Sequence, residues 1–349
     1  MNTPWGYPDF DAHEQISFVQ DEASGLCAII AVHSTHLGPA AGGCRFWHYA
    51  DPSDALTDAL RLSRGMSFKN AMAGLPLGGG KSVILAPADG KKSEELLAAF
   101  GKAVDGMGGR YITAEDVGMS VTDMIEVARH TKFVAGLPVA GGEVGGDPGP
   151  HTALGVFLGI KAAVRHKLGK DSVEGLHIAI QGAGSVATGV ALHAAAEGAR
   201  LSIADIDQAR VQKLADSAKA TIVDPSEILT LEADVLSPCA LGAILDERSI
   251  AALNVPVVAG AANNQLATEE DGARLRDRGI LYAPDYVINA GGIINVCTEY
   301  LADGDASLVR KRIEGIPARL NEIWAESEST GRDPAVVADA MAMKLIGRG

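Results

Sequence analysis

The chain has 349 residues, enough for about two domains of ordinary size. Its formal net charge of −14 argues against a general affinity for nucleic acid or anionic membranes, because such binders carry basic faces. No apolar run reaches the ~18 residues of a membrane helix, and the N-terminus lacks the pattern of a secretory signal. The four cysteines lie far apart, which disfavours a disulfide framework or a cysteine zinc site and predicts a reducing, cytoplasmic setting.

The first third of the chain alternates predicted strands and helices. Residues 26–33 are short, apolar and partly β-branched, which predicts a buried strand, and a further strand is predicted at 81–85, directly after three glycines. Residues 51–64 and 93–104 carry apolar side chains at helical spacing behind residues that favour a helix start. A further strand is predicted to begin at Tyr111 and to run into a glycine turn.

A change of composition follows at residues 136–150, which hold six glycines and three prolines. Neither residue type favours a helix interior or a central strand. We therefore interpret this stretch as a hinge or gate between two domains. A helix is predicted at 152–167, directly after it.

The second half of the chain alternates short apolar segments with helical ones, and from residue 307 onward it is predicted to be helical. Such alternation is typical of a doubly wound parallel sheet, so the predicted class is α/β. The predicted strands are 177–181, 201–204, 221–223, 235–236, 257–259 and 280–282.

A glycine turn of the form G-x-G-x-x-A follows the predicted strand 177–181 and opens a helix, which is the context that a dinucleotide-binding turn requires. Gly182 permits the tight turn, Gly184 lets the backbone approach a pyrophosphate, and Ala187 lets the helix pack on the strand. The positive end of the helix would face the pyrophosphate. The predicted cofactor contacts of this turn are Gly182, Gly184, Ser185 and Val186.

Asp205 ends the next predicted strand, 21 residues after Gly184, where an acid binds the ribose hydroxyls of a dinucleotide. A carboxylate there would repel a 2′-phosphate, so the sequence favours NAD over NADP. Arg210 lies close enough in sequence to accommodate that phosphate, so tolerance of NADP stays open. The alternative is an ordinary α/β turn, with Asp205 as a solvated strand end.

Two lysines, Lys69 and Lys81, lie 12 residues apart among glycines and apolar residues. A lysine in such surroundings must be paired or must titrate at a lower pH. In the second case it serves as a general base near neutral pH, and a second lysine nearby assists this. The glycines are expected to leave space for a substrate against the backbone. A purely structural role for each lysine remains the alternative.

The segment Gly80-Lys81-Ser82 also resembles the end of a phosphate-binding loop, G-x-x-x-x-G-K-[ST]. The first glycine of that motif would fall on Leu75, and a strand rather than a helix is predicted after Lys81. Both departures disfavour a phosphate loop.

Asp116 lies where the strand that begins at Tyr111 runs into a glycine turn. Side chains at strand ends often carry function, although solvated acids are more common there. Asp116 is therefore a candidate for proton transfer, and Glu115 is the competing carboxylate.

These segments together resemble the Glu/Leu/Phe/Val dehydrogenase family, whose members are NAD(P)-dependent enzymes that oxidatively deaminate L-amino acids. No single segment is specific, but the ordered set is, and it covers nearly the whole chain. Within the family, the sequence is most similar to the leucine and phenylalanine enzymes. The matching segments are 37–43, 69–82, 113–118, 146–152, 182–187, 237–242, 259–265 and 284–292.

The resemblance implies roles for the residues that match the substrate site of the family. Lys69, helped by the backbone of Gly42 and Gly43, is expected to hold the substrate carboxylate. Lys81 is expected to be the general acid/base that activates the attacking water. Asp116 is expected to assist proton transfer to and from the substrate nitrogen.

Other matched positions are implied to contact the cofactor. Asn263 and Asn289 are expected to align the substrate amino group and the cofactor, and Thr152 to lie near the nicotinamide carboxamide. Cys239 and Ala240 match a loop that lines the cofactor, so Cys239 is interpreted as a packing residue and not as a nucleophile.

The resemblance also implies the domain organisation and the partners. Residues 1–140 are expected to form the substrate domain and 141–320 a Rossmann-type NAD domain, with a cleft between them. Residues 321–349 are expected to form helices that pack back on the first domain. The partners are an apolar amino acid or its 2-oxo acid, ammonia and other copies of the chain; no metal, nucleic acid or membrane is indicated.

The side-chain pocket of the family maps to Ala41, Ala114, Ile293 and Val296, all of which are apolar. A glutamate side chain would leave its carboxylate unpaired there, at a cost of several kcal/mol, so glutamate is disfavoured. Ala41 stands where leucine enzymes usually have leucine, which enlarges the pocket as in some phenylalanine enzymes. Leucine, valine and isoleucine are favoured as substrates, and phenylalanine is the alternative.

Two rival functions come from other classes. A 2-hydroxy-acid oxidoreductase would need an arginine–histidine constellation, and the sequence has none as compact as the lysine pair. A non-catalytic NAD-binding sensor would be expected to lose Lys81 or Asp116, and both are present. A dimer and an octamer both remain open, as does the physiological direction of the reaction.

Overall fold

The computed structural model describes residues 4–138, 147–301 and 305–349. They divide into two compact units, one within Met1–Asp147, Ile293–Val309 and Ala342–Gly349, the other within Pro148–Gly292 and Arg310–Met341. Each unit is built on one β-sheet with helices packed against it. The predicted two-domain α/β fold is therefore confirmed. Of the helices in the described ranges, none is both long and apolar enough to span a membrane.

The elements before residue 139 begin with a 3₁₀ turn at Pro4–Gly6. The strands are β1 (Gln15–Asp21), β2 (Leu26–Ser34), β3 (Ala40–Trp47), β4 (Gly78–Leu85) and β5 (Tyr111–Glu115). The helices are α1 (Pro52–Met72), α2 (Glu94–Gly106) and α3 (Val121–Ala128).

The elements after residue 146 alternate as predicted. The strands are β6 (His177–Gln181), β7 (Arg200–Ala204), β8 (Thr221–Ile222), β9 (Val235–Pro238), β10 (Val257–Val258) and β11 (Leu281–Tyr282). The helices are α4 (Gly149–Leu168), α5 (Ser185–Ala196), α6 (Gln208–Ala218), α7 (Glu247–Ala252), α8 (Glu270–Asp277), α9 (Asp285–Ile288), α10 (Gly291–Tyr300), α11 (Ala306–Ile313), α12 (Ile316–Thr330) and α13 (Pro334–Leu345).

The sheet of the first unit has the strand order β1-β2-β4-β3-β5. The strands β1, β2 and β4 pair antiparallel, whereas β4, β3 and β5 run parallel to one another. Helix α1 packs on one face through Ala55 and Ala59 against Val83. Helices α2 and α3 cover the other face through Phe100 and Met124. The strand β3 thus lies between the two strands that carry the candidate acid–base residues.

Alternation along these strands decides which side chains share a face, because successive residues of a strand point to opposite sides. Ala41 pairs with Gly79 of β4 and with Ile112 of β5, so these positions are in phase. The face toward α1 therefore carries Ala41, Gly43 and Arg45 of β3, Lys81 and Val83 of β4, and Ile112 and Ala114 of β5.

Three features of the first unit differ from the sequence predictions. Helix α1 continues to Met72, well beyond the predicted end at 64, so Lys69 lies on a helix. The strands β1 and β3 were not predicted. In β3 the pair Gly42-Gly43 interrupts the strand pattern, because glycine contributes no side chain to the alternation.

The glycines at 78–80 do not leave room for a substrate, contrary to the prediction, because protein atoms fill the space. A Cβ on Gly79 would lie 2.0 Å from the Ser67 amide nitrogen of α1, and one on Gly78 would lie 1.9 Å from a β2 carbonyl oxygen. A Cβ on Gly80 would lie 2.7 Å from the Tyr111 ring. These glycines let α1, β2 and β5 approach the backbone of β4 closely.

In the second unit, the described strands form a six-stranded sheet of order β11-β10-β9-β6-β7-β8. All its pairings are parallel. With the strands numbered from β6 as the first, this is the strand order of a dinucleotide-binding domain, in which the chain reverses direction across the sheet beside the first strand. The glycine turn after β6 therefore lies at the point where such folds bind their ligand.

The C-terminal helices differ from the prediction that residues 321–349 return to the first domain. Helix α12 belongs to the second unit, where the buried Trp324 donates from its indole Nε1 to the Tyr282 carbonyl at 2.9 Å. Only the tail from Ala342 belongs to the first unit, and Arg348 donates there to the carbonyls of Asp11 and His33. The aromatic side chain of α12 thus has its apolar partners in the second unit.

The predicted hinge at 136–150 falls largely on residues 139–146, which lie outside the described residues. Of the part that is described, Gly136 adopts a positive φ of 80°. Its amide donates to Glu299 Oε2 of α10 at 2.8 Å. The hinge itself and the interdomain cleft stay predictions.

The packing of α1 on β4 generates a test with a matched pair of glycines. Gly79→Ala should lower the free energy of unfolding by about 1–3 kcal/mol, because its Cβ would overlap backbone atoms of α1. Gly65→Ala, in the exposed interior of the same helix and with open space around its Cβ, should raise it by about 0.5–1 kcal/mol. Urea unfolding of both variants measures the difference, and equal effects would contradict this packing.

Candidate active site

Lys81 lies inside β4 and is only 5% exposed. The pairing of β4 with β2 and β3 fixes its backbone on both sides. Its ammonium group forms an ion pair with the Asp116 carboxylate, Nζ to Oδ2. From the sequence, a lysine in this segment was expected either to be paired or to titrate at a lower pH. The structure pairs Lys81 with Asp116.

Asp116 directly follows β5, on the same side of the sheet as Lys81. Burial raises the pKa of this carboxyl, but the Lys81 ammonium, the Val117 amide and Arg45 outweigh burial and lower the pKa below its ordinary value of 3.8. Asp116 is therefore a carboxylate at neutral pH. A buried cation and a carboxylate that lie close enough to exchange a proton can act together as an acid and a base.

Glu115, the competing carboxylate, is exposed and has no ion pair with Lys81. Burial and the neighbouring acids Asp147, Asp123 and Asp116 raise the pKa of Glu115. The structure thus favours Asp116 for the acid–base role. It also confirms that a strand continues after Lys81, because β4 runs to Leu85, and a phosphate-binding loop would require a helix there.

Gly42 and Gly43 lie at the middle of β3, where side chains would collide with the neighbouring strands. A Cβ on Gly42 would lie 1.9 Å from the Gly80 carbonyl oxygen, and one on Gly43 would lie 2.7 Å from the Asp116 Cβ. Gly43 therefore brings the backbone of β3 against the candidate carboxylate.

Lys69 lies half-buried near the end of α1. The next residue, Asn70, is buried and donates from Nδ2 to the Gly78 carbonyl at 2.6 Å. This contact ties the last turns of α1 to the start of β4, on the face that carries Lys81. The binding of a substrate carboxylate by Lys69 stays a prediction.

The four predicted pocket residues come together in one apolar cluster of the first unit. Ala41 and Ala114 contribute from adjacent strands, and Ile293 and Val296 from one face of α10. None of them offers a polar atom beyond the backbone. The remaining members of the cluster are Ala73, Leu75, Leu77, Ile112, Ala135, Cys297, Tyr300 and Leu301.

The glycine turn of the second unit has the geometry that the motif predicts. Gly182 adopts a φ of 109°, which favours glycine, and its Cα lies close to the Cys239 carbonyl. Gly184 caps α5, and nothing lies within 4 Å of where its Cβ would be. Ser185 begins the helix and is exposed, whereas Ala187 is fully buried. An open backbone at a helix start fits a bound pyrophosphate.

Asp205 holds this turn in place. Its Oδ2 accepts from the Ala183 amide at 2.6 Å, and its Oδ1 accepts from the Asp207 amide at 2.8 Å. Arg210, the residue that could favour NADP, forms an ion pair with Asp207 at 3.1 Å. A cavity of about 270 Å³ lies beside the turn, lined by Ala183, Gly184, Ser185, Thr188, Arg210, Lys213, Leu214 and Ser217.

Asn289 is buried at the end of α9 and contacts Asn263, the other predicted asparagine. Its Nδ2 donates to Asn263 Oδ1 at 2.8 Å and to the Ala261 carbonyl at 3.0 Å. Its Oδ1 is buried and has no hydrogen-bond partner within the described part of the chain. A buried acceptor left without a donor is costly, so this oxygen fits a ligand that donates to it.

Thr152 lies in the first turn of α4, where its hydroxyl donates to the Pro148 carbonyl at 3.0 Å. A Cβ on Gly292 would lie 2.6 Å from this hydroxyl, so α10 begins directly against α4. Cys239 and the exposed Ala240 face the glycine turn across Gly182. Burial raises the pKa of the Cys239 thiol, which agrees with packing and not with a nucleophile.

Two family models match this chain. The model described as Glu/Leu/Phe/Val dehydrogenase, dimerisation domain, matches residues 13–133, and the Glutamate/Leucine/Phenylalanine/Valine dehydrogenase model matches residues 200–345. The chain belongs to this dehydrogenase family. The resemblance inferred from the sequence is thus confirmed, and with it the enzyme class, an amino acid dehydrogenase of an NAD(P)-dependent family.

Relatives of this dehydrogenase differ in the amino acid that they are named for. Leucine dehydrogenase of Bacillus subtilis (strain 168) is 47% identical over 96% of this chain and 92% of its own length. Phenylalanine dehydrogenase of Bacillus thermotolerans is 46% identical over 96% of this chain and 88% of its own length. The crystal structure of L-tryptophan dehydrogenase from Nostoc punctiforme superposes with a TM-score of 0.85, at 40% identity and 96% coverage of both chains.

The sequence did not reveal one group of residues in this dehydrogenase, namely Arg45, which approaches Asp116, and the side chain that holds Arg45. Arg45 of β3 approaches the Asp116 carboxylate, and Asp58 of α1 accepts from Arg45. The sequence carries a weak signal for Arg45, which follows Gly43 by two residues and so shares its strand face. Because β3 itself was not predicted, that signal could not be used.

The lowered pKa of Asp116 predicts how the stability of the dehydrogenase depends on pH. Asp116→Asn should lower the free energy of unfolding at pH 7 by about 1–3 kcal/mol, because it leaves the buried Lys81 unpaired. The carboxyl of Asp116 has its ordinary pKa of 3.8 in the unfolded state and a lower pKa in the folded state. Its stabilising effect is therefore complete above pH 3.8 and is lost as the pH falls through the lower pKa of the folded state.

Chemical unfolding of wild type and variant at several pH values measures this difference. Glu115→Gln is the matched control, and it should change the free energy of unfolding by less than about 0.5 kcal/mol, since Glu115 is exposed. A difference for Asp116→Asn that stays constant down to pH 2 would contradict the ion pair.

Proposed function

We propose that this dehydrogenase oxidatively deaminates an apolar L-amino acid with NAD, and that it also catalyses the reverse reductive amination. The products of the forward reaction are the 2-oxo acid, ammonia, NADH and one proton. The observation that carries the proposal is the buried Lys81–Asp116 ion pair, on a sheet face that also carries an apolar cluster.

Lys69 and the backbone of Gly42 and Gly43 hold the substrate carboxylate. This leaves the α-carbon and the α-amino group toward Lys81 and Asp116. After loss of hydride the substrate is an iminium, and the Lys81 amine takes the proton from the water that adds to it. Asp116 exchanges protons with the substrate nitrogen, so that ammonia leaves when the carbinolamine collapses. The ion pair keeps Lys81 Nζ in contact with the Asp116 carboxylate, and Lys81 must release its ammonium proton before the resulting amine can activate the water.

NAD, when bound, supplies the acceptor for the hydride from the α-carbon. Gly182, Gly184, Ser185 and Val186 hold the pyrophosphate, while Thr152, Cys239 and Ala240 line the nicotinamide end. Asn263 and Asn289 would orient the substrate amino group and the cofactor. The buried Asn289 Oδ1 has no hydrogen-bond partner within the described residues, so it suits a bound group that donates to it.

Asp205 binds the ribose hydroxyls and disfavours a 2′-phosphate. The pairing of Arg210 with Asp207 supports this preference, since that guanidinium already has an anionic partner. The proposed cofactor is therefore NAD in preference to NADP.

The pocket of Ala41, Ala114, Ile293 and Val296 suits leucine, valine and isoleucine, because it offers apolar contact and no charge. Phenylalanine is the second candidate substrate, supported by the small Ala41 and by a phenylalanine dehydrogenase at 46% identity. A non-catalytic sensor is disfavoured, because Lys81 and Asp116 are both present and paired.

The proposed assembly is a homo-oligomer. The family model that matches residues 13–133 is described as a dimerisation domain, which supports at least a dimer. A cytoplasmic location remains part of the proposal.

Initial rates of NADH formation test the proposed function most simply. The substrates are L-leucine, L-valine, L-isoleucine, L-phenylalanine, L-tryptophan and L-glutamate, each with NAD and with NADP. Wild type should turn over a branched-chain substrate fastest with NAD, and Lys81→Ala should lower kcat by at least about 100-fold, the contribution of a general base. No turnover of any member by folded protein that binds NAD would contradict the proposal.

The size of residue 41 generates a prediction on specificity. Ala41→Leu should lower kcat/KM for phenylalanine and tryptophan by about 10- to 200-fold relative to leucine, because added methylenes fill the space of an aromatic ring. The leucine rate of the same variant controls for its folding. An unchanged ratio of phenylalanine to leucine would show that residue 41 does not line the pocket.

A further inference from the structure

Arg45 connects the candidate acid–base couple to α1. It lies on β3, on the same sheet face as Lys81. Its Nη1 donates to Asp58 Oδ2 at 2.7 Å, and its Nε lies 3.6 Å from Asp116 Oδ2. The guanidinium therefore lies between the carboxylate of α1 and the carboxylate that pairs with Lys81.

Asp58 is held by a second donor. The hydroxyl of Tyr49, which lies between β3 and α1, donates to the same Asp58 oxygen at 2.7 Å. Burial, together with this hydrogen bond to Asp58, raises the pKa of Tyr49 above its usual range, so its phenol stays protonated. Tyr49 and Asp58 thus fix Arg45 from the side away from Lys81.

The Nε of Arg45 is buried and, within the residues that the structure describes, has no hydrogen-bond partner. Its separation from Asp116 Oδ2 is within the range of an ion pair but is too long for a hydrogen bond. A buried donor without an acceptor is costly, and a small rotation of the Asp116 carboxylate supplies one. Lys81 and Arg45 thus approach the same oxygen of Asp116.

The two cations differ in what they do during proton transfer. A lysine ammonium gives up its proton when it acts as an acid, and it then no longer attracts the carboxylate. A guanidinium keeps its charge at every pH of interest. Arg45 is thus a permanent positive charge beside Asp116, whichever proton state Lys81 has.

We propose that Arg45 is a positioning residue for the deamination reaction. It orients the Asp116 carboxylate and keeps it negatively charged while Lys81 exchanges its proton, and Asp58 and Tyr49 hold Arg45 for this task. This inference rests on the proposed function, which assigns proton transfer to Asp116.

Other titratable groups lie near Asp116, but the neutral and acidic ones among them do not supply the positive charge of Arg45. Burial raises the pKa of the Cys44 thiol to about 12 and raises that of the Tyr111 phenol above its usual range, so both are uncharged. Glu115 adds a negative charge from the same segment. Among the described residues, the titratable groups near Asp116 thus include Lys81 from β4, Arg45 and Cys44 from β3, and Tyr111 and Glu115 from β5.

The experiment measures kcat, KM for L-leucine and the pH profile of kcat/KM for wild type, Arg45→Gln, Arg45→Lys and Asp58→Asn. Arg61→Gln is the matched control, because Arg61 also joins α1 to an aspartate, Asp9, but is 68% exposed and has no contact with Asp116. Circular dichroism and NADH fluorescence report whether each variant is folded and binds cofactor. Turnover by wild type and its loss in Lys81→Ala are established first, so a failure of the proposed function is seen separately.

Arg45→Gln should lower kcat by about 10- to 100-fold, because the carboxylate loses its orientation, and should leave KM within about threefold of wild type. The acid limb of its profile, which reports the Lys81–Asp116 pair as a unit, should move up by about one pH unit, since loss of the permanent positive charge favours the protonated forms of both groups. Arg45→Lys should restore the acid limb and part of kcat. Asp58→Asn keeps the guanidinium charge, so it should lower kcat without moving the acid limb upward. Arg61→Gln should match wild type.

A double-mutant cycle separates positioning from a merely structural effect. If Arg45 acts through Asp116, adding Arg45→Gln to Asp116→Asn should lower kcat by less than about twofold further. Additive losses, or an acid limb of Arg45→Gln at the wild-type position, would overturn the proposal. So would an equal loss in Arg61→Gln. If Arg45→Gln does not fold, the profiles of Arg45→Lys and Asp58→Asn still decide between these outcomes.

Discussion

The ion pair between Lys81 and Asp116 constrains the rest of the first unit. A buried ammonium group on this sheet face is stable only if a carboxylate meets it there. Because Lys81 and Asp116 come from β4 and from the end of β5, β3 must lie between them in parallel register. Because Gly43 has no side chain, the Asp116 Cβ can lie against the backbone of β3, and Arg45 supplies a second cation beside Asp116. The chemistry of the site thus depends on the order of three strands.

The close approach of α1 follows from the same arrangement. Glycines along β4 bring the helix against the sheet, and the amide of Asn70 donates to the Gly78 carbonyl. Lys69 and Asp58 belong to α1, so this packing places them over the sheet face that carries Lys81 although neither is part of the sheet. In the second unit the carboxylate of Asp205 instead accepts from the backbone of the glycine turn, at Ala183.

Much of this organisation could be predicted from the sequence, and the exceptions have physical reasons. The strand, turn and helix at 177–196 are local, so their pattern predicted these elements correctly. The glycines at 78–80 were misinterpreted, because glycine is equally suited to a substrate and to a helix backbone packed against it. The group around Arg45 depends on the register between distant segments, which no local pattern reports. The four residues proposed for the substrate pocket were predicted only through the family resemblance.

The most direct test is a crystal structure of the wild-type protein with NADH and L-leucine, a pair that binds but cannot react. The account predicts that the α-amino nitrogen lies within about 3.5 Å of Lys81 Nζ or the Asp116 carboxylate, with the leucine carboxylate on Lys69. It also predicts that the leucine side chain contacts Ala41 and Val296. An α-amino group held by other residues, with the Lys81–Asp116 pair remote from the ligand, would contradict the account.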